Sequence, residues 1–193
     1  SEFDEDRPVL YRLIIDGKTG KLKEEKEIAH LFRLNKKMQK AIKFGYIESP
    51  DFSVSKDPES DNYAVVLFNS FETKRNKRIE IILYGSDNEE ITRAYYESPE
   101  GKYKYMQFVS MAVLGSEQVF VLANAYNPDE EGKEVVLATL KKDQSIVDYN
   151  ELNFPKNLSL ENGIIRYNIY TKKLVVVAKL VDKDKEKNES PLY

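Results

Sequence analysis

The chain has 193 residues, 41% hydrophobic and 33% charged, with 30 Lys and Arg against 33 Asp and Glu, a net charge of −3. This supplies a core beneath a charged surface and excludes global disorder, while the near balance of charge excludes nucleic-acid binding of the electrostatic kind. Cysteine is absent, which removes disulfides, thiolate nucleophiles and cysteine-ligated metal sites, and no run approaches the roughly eighteen apolar residues of a membrane-spanning helix.

Residues 1–8 lack a basic, apolar leader and are read as disordered or left over from cloning, outside the fold. Leu10 to Ile15, then Asp16-Gly17-Lys18-Thr19-Gly20, then Lys21-Leu22 reads as strand, tight turn, strand. Between Glu24 and Ile42, Ile28, Leu31, Phe32, Met38 and Ile42 recur at threes and fours, which predicts a single helix within 24–42. A competing reading makes Lys21 to Leu34 an outer strand, with Ile28, His30 and Phe32 on one side.

From position 52 onward strand signals dominate. Phe52 to Ser55, Asn62 to Asn69, Arg78 to Tyr84, Ile91 to Tyr96, Tyr105 to Leu114, Gln118 to Ala125, Lys133 to Leu140, Ile146 to Tyr149, Ile164 to Tyr170 and Lys173 to Val181 are rich in β-branched and aromatic residues. Ala64 to Phe68 and Leu174 to Ala178 are continuously apolar, the mark of strands covered on both faces. Tyr63 to Asn69 matches Val119 to Ala125, and Ile79 to Tyr84 matches Val135 to Leu140, each pair 56 residues apart. A strand precedes and another follows each matched pair, so the repeat is a four-stranded antiparallel unit, the blade of a β-propeller. A third unit begins near Leu158, and Val9 to Leu22 is similar to the last two strands of a preceding one.

The idiom of strand, polar turn and strand, with Asp57-Pro58-Glu59-Ser60-Asp61 leading into Asn62-Tyr63-Ala64-Val65-Val66, resembles β-propeller repeats, especially propeller-like envelope proteins of Bacteroidota without assigned function. The resemblance covers Phe52 to Val181. It implies an all-β fold of about three propeller blades and a periplasmic or envelope-associated location, with a cytoplasmic one as the alternative; the strand spacing also suits a β-sandwich, the alternative fold. The expected layout is one domain over 9–181, followed at 182–193 by a charged turn or linker leading on to further chain.

Candidate chemistry is sparse. His30 is the one histidine and has no nucleophile elbow to serve, so it reads as structural. Asp57, Glu59 and Asp61 alternate as the first ligands of a calcium loop would, but Asn62 and Phe68 stand where that loop needs Gly and an acid. Asp129, Glu130 and Glu131 read as a soluble hairpin tip. Lys36, Lys37, Lys40 and Lys43 are diluted by Glu24, Glu25 and Glu27. No phosphate-binding glycine motif occurs. No catalytic residue, metal or cofactor is therefore expected. Tyr95, Tyr96, Tyr103 and Tyr105 flank a Pro- and Gly-containing turn and form the candidate recognition surface, since tyrosine offers a rigid contact area with a polar tip. The expected function is a non-catalytic recognition or scaffold module for a protein or envelope component. Alternatives are a fragment of a propeller hydrolase and a sugar- or small-ligand-binding domain.

Overall fold

The computed structural model describes residues 9–31, 36–44, 51–69, 74–96, 102–103, 105–127, 134–154 and 158–182. The segments 1–8 and 183–193, the acidic tip Asp129 to Glu131 and the turn Glu97 to Gly101 lie outside them. The chain is all-β. Its strands are β1 (Val9–Ile15), β2 (Leu22–His30), β3 (Asp51–Lys56), β4 (Tyr63–Phe68), β5 (Ile79–Tyr84), β6 (Glu90–Tyr96), β7 (Tyr105–Leu114), β8 (Gln118–Tyr126), β9 (Glu134–Lys141), β10 (Ile146–Leu152), β11 (Leu158–Asn168) and β12 (Lys173–Asp182). One helix, α1 (Lys36–Lys43), and a three-residue turn of 3-10 helix at Arg75–Lys77 complete the described elements.

Helix formation within 24–42 is thus confined to the C-terminal part of that stretch, and the competing strand reading holds for Leu22 to His30. Strand wins there because β1 offers an antiparallel partner, with Leu10 opposite Ala29 and Ile14 opposite Glu24. The β2 residues that turn inward, Ile28 and Ala29, join a cluster with Val65, Leu67 and Tyr84. A long-range apolar surface overrides the local period.

β3-β4-β5-β6 and β7-β8-β9-β10 each form a four-stranded antiparallel meander. They are joined at β6 and β10 by a short parallel pairing of Tyr95 with Ile146 and Tyr96 with Val147. The resulting eight-stranded sheet curls nearly into a barrel, so that β7 runs alongside β3 and β4. The inner faces of the two meanders meet in the main core, where Val66, Ile81, Val119, Val136 and Leu140 are fully buried. Burying each such side chain contributes about 1.5–3 kcal/mol.

The outer faces are covered by hairpins. β1-β2 packs on the first meander through Leu10, Ile28 and Ala29 over Val65, Leu67 and Ile82. β11-β12 packs on the second: Ile165 meets Ala112 and Phe120, and Leu160 meets Leu122 and Val135. The continuous apolar runs of β4, β5 and β8 follow from this arrangement, since both their faces are buried. Four layers therefore stack in chain order: hairpin, meander, meander, hairpin.

Candidate functional site

Two turns and a strand end, from three layers, converge on a cleft of about 320 Å³. Lys56 to Glu59 come from the β3–β4 turn, Met111 to Leu114 from the end of β7, and Arg166 to Tyr170 from the end of β11 and the turn after it. The first turn is held internally. The Ser60 hydroxyl donates to Asp57 Oδ2 at 2.5 Å, the Asp57 amide donates to the Asn62 carbonyl at 2.9 Å, and the Asn62 side-chain amide donates to Ser60 Oγ at 2.8 Å. Asp57 is only 5% exposed, so its carboxylate depends on that hydroxyl for solvation.

The β11–β12 turn is fixed by Asn168, whose Oδ1 accepts the amides of Tyr170 and Thr171, both at 3.0 Å. This Asx arrangement, closed by Lys172 at φ 54°, ends β11 at Asn168 and puts Ile169 and Tyr170 in the turn instead of the strand expected through Tyr170. Tyr170 is 91% exposed at the rim. Behind it Tyr167 is stacked on Phe120, with ring centroids 6.0 Å apart and planes at 10°. Arg166 donates to the Ile165 carbonyl at 2.9 Å. The cleft thus combines an exposed aromatic rim residue on a hydrogen-bonded turn with both signs of charge, from Arg166, Lys56 and Glu59.

The four tyrosines singled out from sequence are divided by the fold. Tyr96 is 2% and Tyr103 6% exposed, so both belong to the core and neither presents a surface. Tyr96 packs edge-on to Tyr149 at 5.5 Å, and burial raises its phenol pKa. Tyr103 donates to Glu151 Oε1 at 3.0 Å; burial first, then Glu151, raises its pKa. Glu151 is held below the usual carboxylate range, chiefly by its ion pair with Lys102. Tyr95 and Tyr105 keep partial exposure, with the Lys77 ammonium 5.9 Å and the Arg78 guanidinium 6.0 Å from their respective ring centroids. Adjacent strand residues point to opposite faces, which separates Tyr95 from Tyr96.

The other charged groups serve the layers. Arg93 bonds Glu80 at 2.6 Å, Glu90 at 2.7 Å and the Ile28 carbonyl at 3.1 Å, pinning β2 to β6; its pKa is raised, first by Glu90. Arg12 pairs with Glu24 at 2.5 Å and lies 5.6 Å over the ring of Tyr84, itself stacked on Tyr63 at 5.0 Å. His30 is exposed on β2, with Nε2 2.6 Å from Glu27. Of the carboxylates weighed for calcium, Asp57 is engaged by Ser60 and Asp61 by Lys56 at 2.6 Å. Among the described residues no cluster of three His, Asp or Glu could hold a metal ion, and no helix is long and apolar enough to cross a membrane.

Sequence reasoning missed Arg166, Tyr167 and Tyr170 as a group. The polar Thr171-Lys172-Lys173 between two apolar runs signals a turn, but not that this turn meets Lys56 to Glu59. No protein-family model, curated protein or solved structure matches the chain.

Proposed function

We propose that the chain is a non-catalytic recognition or scaffold module of propeller-like four-stranded units, which binds a protein or envelope component at the cleft between the β3–β4 turn, the end of β7 and the β11–β12 turn. The observation that carries this reading is Tyr170, 91% exposed on a turn fixed by Asn168 and set beside Arg166 and Glu59. Tyrosine provides contact area with few rotatable bonds, and a turn ordered beforehand lowers the entropic cost of binding. The buried Asp57 and the stacked Tyr167 keep the walls of the cleft in place behind it.

The test is capture from an envelope extract of the source cells by the immobilised chain, with Tyr170→Ala and Arg166→Glu as comparisons. A protein retained by the parent chain and released about tenfold more readily by Tyr170→Ala is expected, since an aromatic anchor contributes about 1–2 kcal/mol or more. Retention unchanged in both variants would refute the cleft as the binding surface. A reproducible rise in Tm with a sugar, lost in Tyr170→Ala, would replace the protein-binding reading with carbohydrate recognition.

A further inference from the structure

The eight-stranded sheet has two edges, β3 and β7, and they run in the same direction, because six antiparallel pairings and one parallel pairing separate them along the sheet. Near the start of β3 the edges are close: Phe68, the cross-strand partner of Asp51, packs edge-on to Phe108 of β7 at 5.8 Å. Toward their C-terminal ends they part, and the cleft lies in that opening, between Ser55 to Glu59 and Met111 to Leu114. No ladder joins β3 to β7 among the described residues. The cleft is thus the mouth of a gap in a nearly closed sheet.

The backbone of β3 turns unpaired groups into that gap. Opposite residues of an antiparallel ladder alternate between exchanging two hydrogen bonds and exchanging none. The Asp57 amide bonds the Asn62 carbonyl at 2.9 Å, and from Lys56 opposite Tyr63 back to Asp51 opposite Phe68 the register has no shift. Ser53 and Ser55 therefore direct their amides and carbonyls to β4, whereas Phe52, Val54 and Lys56 direct theirs away from it. The Phe52 amide is met by the Asp51 carboxylate at 2.8 Å; among the described residues the amides of Val54 and Lys56 bond nothing. Their neighbouring side chains are apolar and half in water, with Phe52 39% and Val54 57% exposed. Such an edge is a template for another strand. The Phe68–Phe108 contact shuts one end of the gap, and Arg166 to Tyr170 stand across the other. At about 320 Å³ the opening is at the lower end of the range of ligand pockets, about 300–1,000 Å³, which admits one extended chain and not the edge of a second folded sheet.

We propose that the partner enters this gap as an extended peptide segment that adds a strand to the free edge of β3. This rests on the cleft being the binding site and goes further by naming the form of the partner. Main-chain groups of the segment bond the amides and carbonyls of Val54 and Lys56, which supplies affinity. Its side chains alternate between the two faces, so that a β-branched or aromatic residue lies beside Val54 and the next turns toward Met111 to Leu114. Tyr170, on the rim, meets the segment where it leaves the cleft.

The probe is a library of random decapeptides displayed on phage and selected on the immobilised full chain; the tightest peptide is then synthesised with N-methyl groups at its odd or at its even positions. Strand addition uses amides of one parity, so one methylated set is expected to bind about tenfold or more weakly and the other like the parent peptide. In the chain, Val54→Pro removes an amide that bonds nothing in the folded state, at an edge position where proline is tolerated. The peptide Kd is expected to rise about tenfold or more while circular dichroism stays that of the parent. Hydrogen exchange needs no variant: the Val54 and Lys56 amides of the parent chain gain protection when the peptide is added. A peptide weakened by Tyr170→Ala but indifferent to N-methylation of either set and to Val54→Pro overturns strand addition and leaves the cleft as the binding surface. A peptide indifferent to Tyr170→Ala as well overturns both, as does a library from which nothing is enriched. A parent chain of twice 22.4 kDa by light scattering that Val54→Pro returns to 22.4 kDa would assign the edge to a second copy and overturn the proposal.

Discussion

Removing the guanidinium of Arg93 tests whether the polar seam under β1-β2 holds the layers together. Arg93 is 29% exposed at its side chain, and its partner Glu80 only 8%, with 2.6 Å between them. Arg93→Ala leaves the Glu80 carboxylate buried without its cation and takes the donor from the Ile28 carbonyl. Breaking a fully buried pair in this way costs about 3–5 kcal/mol; the partial exposure of Arg93 admits water, which reduces the expectation to about 2–3 kcal/mol. For a chain of this size that lowers Tm by about 4–12 °C. The double variant Arg93→Met with Glu80→Met removes both charges and keeps apolar volume, so it is expected within about 1 kcal/mol of the parent. Urea denaturation of the parent, the single and the double variants measures all three. A loss under about 0.5 kcal/mol for Arg93→Ala, or a double variant as unstable as the single, would refute the view that an uncompensated buried carboxylate is what destabilises the protein.

Ile81 is fully buried where the two meanders face each other; Ile81→Ala is expected to cost about 2–5 kcal/mol in the same denaturation assay. Asp16 is held at about 2 by its bond to Lys23, then by Thr19 and Lys18 in the β1–β2 turn. Because its folded value lies below the ordinary aspartate value of 3.8, its contribution is complete above that pH and is lost as pH falls toward about 2. A carboxyl NMR titration with a midpoint near 2, and a shallower acid limb of the stability curve in Asp16→Asn, are the expected results.

How much of this was readable in the sequence follows from the range of the forces involved. The strand runs, the 56-residue repeat and the turn at Asp16 to Gly20 depend on neighbours along the chain: β-branched residues, alternation, and side chains that bond their own backbone. These alone determined an all-β chain. The stretch 24–42 was ambiguous because Ile28 and Leu31 fit a helical period, and only β1 on one edge and Val65, Leu67 and Tyr84 beneath made Leu22 to His30 a strand. Likewise Tyr95 and Tyr96 are the same residue type side by side, and only the position of the second meander buried one and left the other partly in water. The cleft is the extreme case: Lys56 to Glu59, Met111 to Leu114 and Arg166 to Tyr170 are separated by more than fifty residues from one group to the next, and no local signal joins them. Tertiary structure decided which faces are dry, which turns meet and which edges stay open, because burial and convergence depend on groups that only the folded layers bring within reach of one another.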